Sequence, residues 1–303
     1  MKKLLKLIFA IAIFTLGANQ IFAQEEIYLK TLNGVELTKE QYNNLIKSFD
    51  HNTIITMNAE MLEEIKNETD FKSVSKEKYI KSTIVYDQGQ VVSSNEEEVS
   101  LNEFTNSDVT EPIYVPIQVA TTETTYRRLK MTIVVWGNNS NNMSITLTNT
   151  WKQLPSMKTY DVLAIAPGVS FSLKSSGYRS AYQEYDGNII NYSETGDKWN
   201  EVKDNIIFGK GMGISQNLVD AATTSLENSM TYRVKAVQAT LPFNVRGAYA
   251  HAIVDTPLAQ WKKYTLGSGG IGNLIIFNSS VASHYESSSA DGIQMAYNGD
   301  QTI

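Results

Sequence analysis

Alternation of apolar and polar side chains along extended stretches is the feature that most restricts how this chain can fold. In residues 129–135 every second side chain is apolar, and the same period returns in residues 143–148 after a Gly/Asn-rich stretch. Successive side chains of a strand point to opposite faces of a sheet, so each stretch can bury one face and leave the other polar. Two such stretches joined by a short polar loop predict neighbouring antiparallel strands.

The rest of the C-terminal two-thirds follows the same pattern with short spacings and frequent turn residues. Further strand candidates lie at 114–119, 162–166, 169–173, 188–192, 232–239, 248–254 and 273–277. Many short strands without helical periodicity between them favour a sandwich over a parallel sheet with crossover helices. We therefore predict a mainly β fold, an antiparallel, jelly-roll-like β-sandwich over residues 111–303.

The N-terminus has the pattern of a secretory signal peptide. Lys2, Lys3 and Lys6 precede an apolar run at 7–16, and a small residue, Ala23, stands before a cleavage point at Gln24. The apolar run is shorter than the roughly 20 residues that a membrane-spanning helix needs. This pattern predicts removal of residues 1–23 and a secreted, extracellular protein.

Residues 24–110 form an acidic leader, for which we predict two short helices and a β-prone linker. Thr38 and Gln41 have the spacing of a capping box, and an apolar stripe at 42, 45, 46 and 49 follows. Asn58 is placed to cap the second helix. The glutamate run at 96–98 is typical of a solvated linker.

Charge and cysteine content exclude several functions. The net charge is −6, with an acidic leader before a balanced body, whereas nucleic acid and anionic lipid attract a basic face. The chain has no cysteine, so disulfides, thiol nucleophiles and Cys-ligated zinc are excluded. We predict no nucleic-acid partner, and calcium is the only cofactor that the sequence suggests.

No catalytic motif is complete. The glycine-dense stretch at 208–213 lacks the Ser or Thr that follows Lys in a phosphate-binding loop, and Asn217 interrupts the nucleophile elbow that Ser215 would need. His251 lies four residues before Asp255, so a His–Asp pair is conceivable, but a structurally hydrogen-bonded histidine is the simpler interpretation.

Glu184, Asp186 and Asn188 alternate along the chain, and in an extended segment they would point three oxygen ligands to one side. Such ligands suit calcium, so these residues are the candidate metal site, although the spacing is not that of an EF-hand. The Asp186-Gly187 pair is equally typical of a tight hairpin turn.

An aromatic and polar cluster gives the candidate ligand site. Flat rings beside hydrogen-bonding groups suit sugars and protein surfaces, while tyrosines at a sandwich edge can also be purely structural. The ring-bearing members of the cluster are Tyr178, Tyr182, Tyr185, Tyr192 and Trp199.

Several phrases resemble a group of secreted proteins from low-GC Gram-positive bacteria. The phrases are LNGVELT at 32–38, Trp151 followed by LP at 154–155, YDV at 160–162, YAHA at 249–252 and GGIG at 269–272. The pattern departs after Tyr285, where Glu286 and a serine run replace an expected Asp. The resemblance implies export and carries over no activity and no functional residue.

Three functions fit these observations. The leading hypothesis is a non-catalytic binding protein that recognises an extracellular glycan or surface protein through the sandwich loops. The first alternative is a β-pore-forming toxin-like protein, since strands of residues 143–151 alternate as membrane strands do, and only this alternative requires a membrane interaction. The second is a hydrolase of extracellular polymer that uses paired carboxylates.

Overall fold

The computed structural model describes residues 26–107, 121–137, 142–167, 171–173, 179–192, 199–202, 211–218, 223–236, 243–254, 264–266, 274–285 and 292–297. The predicted signal peptide lies outside these ranges. The helices are α1 Lys39–Leu45, α2 His51–Thr56, α3 Ala59–Ile65 and α4 Leu101–Asn106, and a 3-10 turn covers Ala282–His284. The strands are β1 Ile27–Lys30, β2 Glu36–Thr38, β3 Phe71–Asp87, β4 Gln90–Val99, β5 Thr121–Trp136, β6 Met143–Gln153, β7 Tyr160–Pro167, β8 Phe171–Leu173, β9 Arg179–Tyr185, β10 Asn188–Asn191, β11 Trp199–Val202, β12 Gly211–Asn217, β13 Leu226–Ala236, β14 Phe243–His251, β15 Tyr264–Leu266, β16 Ile275–Phe277 and β17 Ile293–Tyr297.

Two antiparallel sheets stack to form the sandwich. The larger sheet has the order β10-β9-β13-β6-β5-β3-β4, with β8 also paired to β13, and the smaller has the order β11-β12-β7-β14-β17. The ribbons β1–β2 and β15–β16 are separate two-stranded sheets, whose strands pair only with each other. The predicted mainly β, antiparallel sandwich is confirmed.

The main core lies between the two sheets. Leu129, Met131 and Ile133 of β5 point inward, as the alternation predicts, and they meet apolar side chains of the smaller sheet such as Leu163 and Ile165. All five side chains are at most 1% exposed. Each buried aliphatic side chain of this kind contributes about 1.5–3 kcal/mol relative to an exposed one.

A second core covers the opposite face of the smaller sheet. Small side chains of β7 and β14, including Ala164 and Ala250, allow the β15–β16 ribbon to pack closely. Gly213 of β12 belongs to the glycine-dense segment, and a Cβ at this position would lie 2.9 Å from the Tyr264 hydroxyl. The glycine therefore permits close backbone packing. Ser215 is fully buried within the same strand, where no nucleophile elbow is formed.

The N-terminal helices form a third core on the outer face of the larger sheet. The capping box of Thr38 and Gln41 is present, and Asn58 caps α3 as predicted. Leu45 and Phe49 are buried, but Ile46 is 38% exposed because α1 ends at Leu45 and the stripe does not continue in helical register.

Helix α2 was not predicted; its N-cap is Asp50, whose carboxylate accepts a hydrogen bond from the Thr53 amide at 2.7 Å. The helical segment packs on Val134 and Trp136 of β5. Its Glu64 carboxylate also pairs with Arg233 of β13, whose buried guanidinium lies over the Trp136 ring.

Within the described chain, no helix has the length and apolar character needed to cross a membrane.

The β-prone linker predicted before residue 110 forms β3 and β4 of the larger sheet. β3 pairs with β5 over sixteen successive positions, from Phe71–Trp136 to Tyr86–Thr121. The sheet hydrogen bonds therefore cross the predicted boundary between leader and sandwich. β3 was difficult to recognise because its side chains, which include Lys76, Glu77 and Lys78, are largely polar on both faces.

The glutamate run at 96–98 lies in β4, and its members have different environments. Glu97 and Glu98 are solvent-exposed and pair with Lys81 and Lys78, each at 3.0 Å. Glu96 and Glu98 lie on one face of β4 and Glu97 on the other, but of the three only Glu96 forms a buried ion pair, with Arg127 of β5. The side chains of this pair are only 1–2% exposed. The solvated linker predicted for this run is therefore wrong for Glu96, because the pairing of β4 with β3 places its carboxylate beside the buried Arg127 guanidinium.

We expect the substitution Glu96→Gln to lower the free energy of unfolding by about 3 kcal/mol, because it leaves the buried Arg127 charge facing a neutral group. Urea unfolding followed by fluorescence measures the change. The matched control Glu97→Gln affects an exposed pair and should cost less than about 1 kcal/mol. Equal effects of the two substitutions would contradict the assignment of Glu96 to the interior.

Candidate functional site

The predicted tyrosine cluster does not form one surface. Tyr182 lies on the outer face of β9, is 2% exposed, and donates a hydrogen bond to Glu227 of β13 at 2.7 Å. Burial raises the pKa of Tyr182 well above the usual tyrosine value. Tyr192 instead packs into the main core, and its hydroxyl donates to the Asn217 carbonyl at 3.2 Å. Burial raises the pKa of Tyr192 to about 12.

The other members of the cluster are also separated. Tyr185 is partly buried against the main core, on the face of β9 opposite to Tyr182. The backbone of Trp199 belongs to β11, at the edge of the smaller sheet, and pairs with Ile214. Tyr178 lies outside the described residues. Of the described tyrosines of the cluster, Tyr182 and Tyr192 are buried and Tyr185 is partly buried, so they pack within the fold.

The predicted metal-binding stretch is a tight hairpin turn between β9 and β10. Asp186 and Gly187 have φ values of 48° and 79°, the left-handed conformations that a type I′ turn requires. The Asp186 carboxylate accepts hydrogen bonds from the backbone N–H groups of Thr224 and Ser225 at 2.7 and 2.9 Å, and from the Thr224 hydroxyl at 2.8 Å. These hydrogen bonds lower the pKa of Asp186.

The other two predicted ligands also make hydrogen bonds within this turn. Glu184 accepts a hydrogen bond from the Gly187 amide at 2.6 Å, and the Asn188 side chain donates to the Tyr185 and Asp186 carbonyls at 3.4 Å. In the described ranges, no three His, Asp or Glu side chains are grouped so that they could hold a metal ion. Calcium binding by Glu184, Asp186 and Asn188 stays a prediction.

His251 is hydrogen-bonded inside the sandwich. Its Nδ1 lies 2.7 Å from the carboxylate of Asp161, its cross-strand neighbour on β7, and Tyr249 donates a hydrogen bond to the same carboxylate. The ring of His251 packs edge-on against Trp151 with centroids 5.1 Å apart, and the side chain is fully buried. The partner that the sequence suggested, Asp255, lies outside the described residues. This histidine therefore stabilises the interior and is closed to a substrate.

A groove on the outer face of the larger sheet is a candidate site for a ligand. One row of cross-strand neighbours, Tyr79, Arg128, Thr150 and Glu227, runs over β3, β5, β6 and β13. Helix α4 lies above the first part of this row and leaves a cavity of about 250 Å³. The cavity is lined by Tyr79, Leu101, Phe104, Thr105, Arg128, Thr150, Trp151 and Lys152.

Helix α4 forms the roof of the groove, and it contributes no side chain to a hydrophobic core. Ser100 caps α4, because its hydroxyl accepts a hydrogen bond from the Glu103 amide at 3.1 Å, and none of the helical residues is buried. Phe104 lies against the Tyr79 ring with centroids 4.8 Å apart. Leu101 remains 57% exposed at the entrance of the groove. Aromatic and aliphatic residues thus form half of the lining, and a few polar groups stand beside them, as in sites that bind small organic groups.

Lys152 fastens the C-terminal end of α4 to the sheet. Its ammonium donates hydrogen bonds to the Phe104 carbonyl, to the Thr105 and Ser107 carbonyls at 2.8 and 3.0 Å, and to the Ser107 hydroxyl at 2.9 Å. A cation at this position satisfies carbonyls that have no partner within the helix and complements its dipole. The long Lys81–Glu103 pair at 3.8 Å adds a weaker attachment.

Arg128 is the cation most accessible to a ligand in the groove. Its side chain is 35% exposed, and its contacts are long, 3.4 Å to the Thr150 hydroxyl and 3.7 Å to Glu77. The Tyr79 hydroxyl donates to Glu77 at 2.6 Å, and this hydrogen bond is the main reason that the pKa of Tyr79 is raised. Beyond the groove, burial raises the pKa of Glu227, which accepts hydrogen bonds from Tyr182 and Thr150.

This groove was not predicted from the sequence. Its lining comes from β3, α4, β5 and β6, and two of these elements fall in a stretch that was predicted to be a linker. The one available signal was Ser100 followed three residues later by Glu103, the spacing of a helix start. The contact of Lys152 with that helix depends on tertiary structure and could not be predicted from spacing.

Comparison with known proteins supplies no family. No family model matches the chain, and no curated protein matches it. Among solved structures, the chain is similar to the collagen-binding domain of the surface protein RspB from Erysipelothrix rhusiopathiae, with 8% identity and a TM-score of 0.27. The match covers 46% of this chain and 66% of that one, just under two thirds. A likeness of this size defines neither a family nor a ligand.

We expect the Asp186→Asn variant to be less stable than the wild type above pH 3.8, the ordinary pKa of the group. Because the folded-state pKa is lowered, the ionised carboxylate stabilises the fold above that value, and this stabilisation disappears as the pH falls through the lower folded-state pKa. Urea unfolding over a pH series measures the difference. The control Asp87→Asn changes an exposed aspartate at the β3–β4 turn, and the same pH-dependent difference there would contradict the assignment.

We expect the substitution Lys152→Met to release α4, so that its amide protons exchange about tenfold faster or more, the effect of losing charged hydrogen bonds. Hydrogen exchange measured by mass spectrometry over residues 100–107 checks this. Lys130→Met is the matched control, because Lys130 lies on β5 outside the lining of the groove. Unchanged exchange in Lys152→Met would show that other contacts hold the helix.

Proposed function

We propose that this chain is an exported, non-catalytic binding protein that holds an extracellular glycan or surface protein at the groove between α4 and the larger sheet. Export follows from the signal-peptide pattern of residues 1–23. The sandwich supplies a rigid floor, and α4 supplies a roof that can adjust to a ligand because it is not part of any core.

The composition of the groove carries this proposal. Its lining combines three aromatic residues, an exposed leucine and two cations, and none of the described lining residues is an aspartate or a glutamate. Hydrolysis by paired carboxylates needs two such groups on either side of the substrate. The same lining suits binding, in which apolar contact gives affinity and a few polar groups give orientation.

A binding screen with the chain 24–303 tests the proposal. The screen uses a glycan array and a panel of purified extracellular proteins, and calorimetry gives the dissociation constant of each ligand found. We expect Leu101→Ser to weaken binding about five- to tenfold, the effect of losing one apolar contact of about 1–1.4 kcal/mol.

Val92→Ser is the matched control for this substitution. Val92 is 58% exposed, nearly the same as Leu101 at 57%, but it lies on β4 outside the groove. We expect Val92→Ser to bind like the wild type, and mass spectrometry to recover the ligand unchanged. A ligand that is cleaved, or one that Leu101→Ser and Val92→Ser bind equally well, would contradict the proposal.

A further inference from the structure

The groove carries a positive charge on a chain that is acidic as a whole. The net charge of the chain is −6, yet two cations, Arg128 and Lys152, line the groove. Four neutral oxygens at the end of α4 already occupy the N–H groups of Lys152, so Arg128 is the cation of the lining that is left for a ligand. Among the described residues, the carboxylate of Glu77 pairs with Arg128 at the long distance of 3.7 Å, and that of Glu227 also interacts with it electrostatically. Because its contacts are long and its side chain is 35% exposed, the Arg128 guanidinium can still pair with an anion.

The fold also restricts how a ligand can be recognised there. β3, β5 and β6 are interior strands of the larger sheet, so each is already paired on both sides. The carbonyls at the C-terminal end of α4 already accept hydrogen bonds from Lys152. Peptides commonly bind by pairing their backbone with an exposed strand edge, and the groove offers no such edge. A ligand must therefore be held by rings, hydroxyls and the guanidinium.

These two constraints point to one ligand chemistry. We propose that the groove binds a carboxylate-bearing sugar residue of an extracellular polysaccharide, a specificity that rests on the proposed binding function. The apolar face of the sugar ring packs against Tyr79 and Phe104, while its carboxylate reaches the Arg128 guanidinium. A guanidinium can bind a carboxylate through two parallel hydrogen bonds, which fixes the orientation of the ring. The hydroxyls of Thr105 and Thr150 lie in the same lining and match the polar edge of a sugar.

Calorimetry with a chemically matched ligand pair tests this specificity. The first ligand is a short oligogalacturonide, and the second is the same oligosaccharide with its carboxyl groups reduced to alcohols. A polyglutamate peptide is the third ligand and supplies negative charge without sugar rings. We expect the oligogalacturonide to bind about tenfold or more tightly than the other two, the effect of one charge-assisted contact.

Two variants locate the source of this preference. Arg128→Gln should reduce the preference for the charged oligosaccharide to less than about twofold, because the neutral amide cannot replace the charge-assisted contact. Lys130→Gln removes one positive charge two residues away on the same face of β5, outside the groove, and should keep the preference. Both variants should retain the wild-type circular dichroism spectrum, since Arg128 is partly exposed and makes only long contacts.

The outcomes separate this inference from the proposed function. Equal affinity for the charged and reduced oligosaccharides, with Leu101→Ser weakening both, would overturn the anionic specificity and leave the binding function in place. Tighter binding of polyglutamate would overturn the assignment of a sugar. If none of the three ligands binds, the inference fails, while the binding function is decided by the screen with Leu101→Ser and Val92→Ser.

Discussion

Burial of the inner face of β5 and β6 is the interaction on which the rest of the molecule depends. The alternating apolar side chains of these strands meet the smaller sheet, and every other layer is positioned by that contact. The helical segment packs on the outer side of β5, and β3 pairs along almost its whole length. Because β5 and β6 occupy the centre of the larger sheet, their register also sets the row of side chains that forms the floor of the groove.

The features that could be predicted from sequence are those fixed by local pattern. The alternation at 129–135 and 143–148 identified β5 and β6, the capping box of Thr38 and Gln41 identified the start of α1, and the Asn58 cap identified that of α3. The Asp186-Gly187 pair indicated a tight turn, because few residues tolerate the left-handed backbone that such a turn needs. In each case the physical cause lies within a few residues of the signal.

The features that could not be predicted depend on contacts between distant strands. Glu96 and Glu97 are adjacent glutamates, and only their orientation in β4 decides that one is buried against Arg127 while the other meets solvent. The tyrosine cluster was a group in sequence, but strand alternation sends Tyr182 and Tyr192 to opposite faces of the sheet. The groove itself combines residues from four elements. One of them, β3, could not be recognised in full from the sequence because it is largely polar on both faces.

The shallow attachment of α4 has a consequence for how this protein can diversify. Because no side chain of α4 is part of a core, changes at its exposed positions alter the shape and polarity of the groove without a penalty in folding. The sheet beneath keeps its hydrogen bonds whatever residues the helix carries. Selection can therefore adapt the recognition surface and the scaffold independently, much as variable loops evolve on a constant framework.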